Sequence, residues 1–181
     1  MPEGQIPISR GSAGIGRGQM TVAEAHIAHN QHVQRLYEDL LAGVPGVTVH
    51  SQSATGEFDS NYWPCTVMLD PALQVKGQEN AYKTVVKGAV GGAAGVIHMA
   101  ASAVTDCQPN ENVEAMRGFL DAAGIEARPV WKPMHKQPVY RNAPAYVNGV
   151  SEAMFKVGMC LPAGPWVSDE DGILWRWLRG R

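Results

Sequence analysis

Gly124-Ile-Glu-Ala-Arg128-Pro-Val-Trp131-Lys-Pro133-Met-His135-Lys-Gln-Pro138-Val-Tyr140 is where the chain passes from helix to strand to loop. Before it, Val113, Met116, Phe119 and Leu120 recur at helical spacing over residues 111–123 and read as the inward face of a helix. Gly124 supplies the left-handed stop. Residues 125–130 read as a strand. Pro129, Pro133, Pro138 and Pro144 remove backbone donors and push the residues before them into extended conformations, so this stretch reads as an irregular loop held open by proline.

Toward the C-terminus, residues 151–157 read as a short helix, 158–161 as a short strand and 162–167 as a turn. Ser168-Asp-Glu-Asp171 has the capping-box pattern that opens a last helix. Toward the N-terminus, residues 62–69 mix aromatic and β-branched types and are closed by Asp70-Pro71, which predicts a strand. Val47-Thr-Val49 is a shorter one. From Gln19, the residues Val22, His26, His29, Val33, Leu36, Tyr37, Leu40 and Leu41 fall at helical spacing until Gly43 and Pro45 end the run. The first fifteen residues, dense in glycine and proline, read as loop. Residues 74–108 are ambiguous, with one helical stretch at 79–87 and a Gly/Ala-rich run at 88–95. This order predicts a two-layer α+β fold in which a short mixed or antiparallel sheet packs against helices. The division expected is an irregular segment over 1–15 and one domain over 16–181, with an atypical connection at about 72–108.

Of the 181 residues, 45% are hydrophobic and 18% charged, a balance that supports a buried core and excludes a disordered chain. Fifteen basic against seventeen acidic side chains leave a net charge of −2, which gives no electrostatic footprint for nucleic acid or an anionic membrane. Cys65, Cys107 and Cys160 are odd in number and far apart, so neither a disulfide framework nor a Cys-x-x-Cys site is implied. The N-terminal residues lack a signal-peptide pattern, and the uncharged run 88–105 is too rich in Gly, Ala, Ser and Thr to partition into lipid. A cytoplasmic protein with no nucleic-acid or membrane partner is expected.

Four clusters invite chemistry. Gly88-x-x-Gly91-Gly92-x-x-Gly95 lacks the Gly-Lys-Ser/Thr end of a phosphate loop and reads as a connection. His26, His29 and His32 spread over one part of a helix without an implied carboxylate or thiol partner, so no metal is assigned. The Trp175-Arg-Trp177-Leu-Arg179-Gly-Arg181 tail reads as the end of a terminal helix. Six lysines, Lys76, Lys83, Lys87, Lys132, Lys136 and Lys156, show no spacing that singles out a nucleophile. The densest segment is the opening one. Arg128, Trp131, His135 and Tyr140 together offer an ion pair, a stacking face and hydrogen bonds to an anionic sugar or nucleotide.

Several stretches, taken in order, resemble the C-terminal region of the DegT/DnrJ/StrS family of pyridoxal-phosphate-dependent nucleotide-sugar aminotransferases. They are Gly16-Arg-Gly-Gln-Met20, Asn61-Tyr-Trp63, Gly124-Ile-Glu-Ala-Arg128-Pro-Val-Trp131-Lys-Pro-Met-His135, Val150-Ser-Glu152, Gly158-Met-Cys-Leu-Pro162 and Ser168-Asp-Glu-Asp171. The resemblance implies the family's small α+β domain, with Arg128, Trp131, His135 and Tyr140 as substrate-side residues and none of them catalytic. It places the Schiff-base lysine and most cofactor contacts in a large domain that nothing before Gly14 resembles. The resemblance thus implies a truncated, aminotransferase-like protein, not catalytic alone and binding no pyridoxal phosphate by itself. Its implied partners are a second copy, a full-length relative or a separate large domain, together with a nucleotide sugar held no more tightly than roughly millimolar, about −4 kcal/mol. Ile6-Pro-Ile-Ser-Arg10, the 72–108 connection and the tail from Gly172 depart from the family pattern.

Overall fold

The apolar spacing of residues 22–41 closes into a helix whose Val33, Tyr37 and Leu41 are buried, and the sheet is laid against them. A computed structural model describes residues 10–52, 56–82 and 107–169. In chain order its elements are α1 (Arg10–Met20), α2 (Ala23–Leu41), β1 (Val47–Val49), β2 (Cys65–Leu69), α3 (Glu111–Ala122), β3 (Arg128–Pro129), α4 (Val150–Val157) and β4 (Gly158–Leu161). Short 3-10 turns occupy Gln78–Asn80, Met134–Lys136 and Pro138–Tyr140.

The four strands form one sheet in the order β1-β2-β4-β3, antiparallel at every pairing. That settles the expected mixed or antiparallel sheet in favour of the second. β2 is central and alternates strictly, with Cys65, Val67 and Leu69 buried and Thr66 and Met68 turned to the other face. Its register sets Cys65 opposite Leu161 and Val67 opposite Met159, so the buried side chains of β2 and β4 share a face. Val33, Tyr37 and Leu41 of α2 and Val113 and Leu120 of α3 cover that face in a single apolar cluster. Burying each such side chain contributes about 1.5–3 kcal/mol. Two hydrogen-bonding side chains fix the layers. Tyr37 donates its hydroxyl to the Pro162 carbonyl at 2.8 Å. Asn112, 3% exposed, donates through Nδ2 to the carbonyls of Asp70 (2.9 Å) and Leu73 (3.1 Å), tying α3 to the turn after β2.

Several expectations need correction. Residues 10–15, where glycine density predicts loop, belong to the helix Arg10–Met20. Each glycine costs a helix about 1 kcal/mol against alanine, which counts against α1 without forbidding it. The helix is closed at its end by Thr21, whose Oγ1 and N–H both donate to the Gly18 carbonyl (2.7 and 3.2 Å). Phe119, placed on the inward face, is 48% exposed, because the apolar stripe of α3 narrows to Val113, Met116 and Leu120. The strand expected at 125–130 shrinks to Arg128–Pro129. After Gly124 (φ +77) the Ile125 N–H turns back to the Leu120 carbonyl at 2.9 Å, and Pro129 has no N–H to give the ladder. The proline loop is not extended throughout: two 3-10 turns fold it locally. The Gly/Ala-rich run at 88–95, most of the stretch 79–87 and the C-terminal tail lie outside the described residues. So does the last helix, apart from Ser168 and Asp169. Among the described residues no helix is long and apolar enough to cross a membrane.

Candidate functional site

The proline loop is anchored where β3 ends. The Val130 N–H donates to the Gly158 carbonyl at 3.1 Å, at the joint between α4 and β4. Gly158 has no room for a side chain: a Cβ there would lie 2.7 Å from the Met154 carbonyl oxygen and 2.9 Å from Val130 Cγ1. With Val130 seated, the next residue, Trp131, is carried out onto the surface and stacks on Trp63, ring centroids 5.6 Å apart and planes 30° apart. Trp63 is aimed from the other side by local backbone chemistry. Asn61 Oδ1 accepts the Trp63 N–H at 3.1 Å, and Tyr62 takes a left-handed φ of +43 just before it.

Beyond Trp131, Pro133 is buried and the turn Met134–Lys136 comes next. Gln137 closes this segment, donating Nε2 to the Lys132 carbonyl at 3.1 Å. The turn delivers His135 to α4, where its Nε2 lies 2.8 Å from Glu152 Oε1. Lys136 Nζ lies 3.5 Å from the other carboxylate oxygen. Both partners hold Glu152 below the usual carboxylate range, the His135 hydrogen bond most of all.

The four residues singled out from sequence are thus placed on one continuous segment but do not pair with each other. Trp131 goes to Trp63 and His135 to Glu152. Arg128 is exposed and forks onto Glu126, its Nε donating at 2.8 Å. Tyr140 enters through its backbone, its N–H donating to the Gln137 carbonyl at 3.0 Å. Trp63 and Glu152 are the residues that reading by spacing misses. Both stand inside the stretches Asn61-Tyr-Trp63 and Val150-Ser-Glu152, so a signal is present, but their partners are set by the sheet.

Burial pushes the Cys65 thiol up to about 12 and raises Cys160, which makes both poor nucleophiles. His29 meets the Gly164 carbonyl at 3.3 Å and His32 meets Asp169 at 2.7 Å. Among the described residues no three His, Cys, Asp or Glu side chains converge as metal ligands would. A polar cavity of about 360 Å³ lies between α2, Gln52 and the segment 56–62, its wall including Gln34, Arg35, Glu38, Asp59 and Tyr62.

Residues 81–173 match the DegT/DnrJ/EryC1/StrS aminotransferase family. The chain belongs to that family. Over 163 residues it is 28% identical to a Bacillus subtilis protein that carries the name pyridoxal phosphate-dependent aminotransferase EpsN, a match covering 88% of this chain and 32% of that one. Its fold is that of part of the aminotransferase TlmJ from Streptoalloteichus hindustanus, with a TM-score of 0.61 at 16% identity over 93% of this chain and 35% of TlmJ. DesI, solved in the presence of its TDP-sugar product, gives 0.59 at 18% identity with the same coverage. The chain therefore spans about a third of the length of the relatives it matches.

Pyridoxal phosphate asks for a lysine amine at a cavity wall, a carboxylate for its ring nitrogen and a cluster of donors for its phosphate. The polar cavity between α2 and the segment before β2 does not fit it. Its wall has no lysine, and Lys136 is turned to Glu152.

Proposed function

We propose that this chain supplies the substrate-facing small domain of a nucleotide-sugar aminotransferase and does not transfer an amino group by itself. The observation that carries the reading is the Trp63–Trp131 stack. Two largely exposed indoles, one of them on the chain segment that runs on to His135, offer faces on which a planar nucleobase can stack. Arg128, His135 and Tyr140 on the same segment add a cation and hydrogen-bonding groups for a diphosphate and a sugar. Family membership and the fold shared with a third of TlmJ and DesI support it. The cofactor lysine and the phosphate cradle come, on this reading, from a large domain that this chain meets. Adding pyridoxal phosphate and scanning absorbance tests it. The expected result is the spectrum of free cofactor and no pyridoxyl group fixed by borohydride. A stoichiometric band abolished by replacing one lysine contradicts it.

A second reading, an assembly module, rests on a different observation. Ile15, Met20, Val22 and Ile27 are all exposed along α1 and the first turns of α2. A second copy of this chain, a full-length relative or a separate large domain are the occupants that suit it. Light scattering behind size exclusion separates them, and a strict monomer at high concentration, unchanged by adding a relative's large domain, counts against it.

A further inference from the structure

We infer that Glu152 is a positioning residue, which locks the rotation and tautomer of His135 and so sets Nδ1 as the edge of the imidazole that a ligand of this loop meets. The inference rests on the nucleotide-sugar reading for what the ligand is, but not for the lock itself.

A carboxylate can only accept, so the 2.8 Å contact with Glu152 Oε1 puts a proton on His135 Nε2 whatever the charge of the ring. It also fixes the ring's rotation, because turning the imidazole over would replace that nitrogen with carbon. The contact is partly withdrawn from water, with the His135 and Glu152 side chains 18% and 29% exposed. Lys136 engages the second oxygen, so the carboxylate is itself held from two sides and cannot swing away with its partner. The two backbones are independently set: His135 by the Met134–Lys136 turn, Glu152 by the first turn of α4. Nδ1 is then the nitrogen left to meet a ligand. It accepts from a sugar hydroxyl or a base N–H when the ring is neutral, and donates to a phosphate oxygen when it is protonated.

The test is imidazole nitrogen NMR on the full chain labelled at histidine. Recorded at a pH high enough to keep the imidazole neutral, wild type is expected to show His135 as a single tautomer, Nε2 pyrrole-like and Nδ1 pyridine-like. Glu152→Gln, whose amide oxygen still accepts, is expected to keep that signature. Glu152→Ala is expected to lose it, with the two nitrogen shifts moving toward each other. The same three proteins are then titrated with thymidine diphosphate: about tenfold weaker binding is expected for Glu152→Ala and less than about threefold for Glu152→Gln. A His135 signature identical in wild type and Glu152→Ala overturns the lock. An intact lock in wild type with equal thymidine diphosphate affinity in all three overturns the role in presenting Nδ1. Absence of thymidine diphosphate binding in wild type overturns the functional reading instead, and leaves the tautomer result to decide the lock.

Discussion

Trp63 and Trp131 stack on each other while remaining 67% and 64% exposed. A pair that existed to stabilise the core would be covered. These two rings come from the segment leading into β2 and the one leaving β3, and each keeps much of its surface available.

Trp63→Ala and Trp131→Ala are accordingly expected to cost only about 1 kcal/mol in urea unfolding, the worth of an aromatic pair and little burial. Either change is expected to abolish nucleotide-dependent shifts. A loss of several kcal/mol would mean that the pair is structural.

Tyr37→Phe removes the donor to the Pro162 carbonyl at the end of β4. Tyr37 is fully buried, so that oxygen is left without its donor, and a cost of about 1–1.5 kcal/mol is expected from denaturant midpoints. No measurable change would show that the hydroxyl is not what joins α2 to the sheet.

The same residues show which parts of the molecule are legible in the amino-acid sequence. α2 and β2 can be read because burial keeps a period: Val33, Tyr37 and Leu41 on one, Cys65, Val67 and Leu69 on the other. The pairing of Arg128 with Glu126, two residues apart in an extended chain, is local, but reading Arg128 as a partner for an anionic ligand passes over it. α1 is not legible, because glycine content measures backbone entropy and says nothing about hydrogen bonds that close a helix end. Nor are Trp63 with Trp131 and His135 with Glu152. Those contacts depend on which strand lies beside which, and no local pattern encodes the order β1-β2-β4-β3.

Gly158→Ala is expected to destabilise by about 1–3 kcal/mol, because its Cβ must displace Met154 backbone and the Val130 side chain. As Val130 carries Trp131, the tryptophan stack is expected to move with it, seen as a change in near-ultraviolet circular dichroism. An unperturbed spectrum with full stability would contradict that linkage.

Glu152 is held below its ordinary value of 4.5, so the folded state binds its proton less readily than the unfolded chain. Its contribution to stability is fully present above about 4.5 and fades as the pH falls through the lower folded value. Wild type is expected to lose stability on acidification over that window more steeply than Glu152→Gln. Parallel curves would show that His135 and Lys136 do not favour the charged carboxylate.

The most direct measurement is a titration of the intact chain with a thymidine diphosphate sugar, monitored by amide NMR. Saturable shifts clustered on Trp63, Arg128, Trp131 and His135, with a dissociation constant of roughly millimolar order, are the predicted result. Shifts confined to the His26 and His32 region of α2, or none up to about 10 mM, would contradict it.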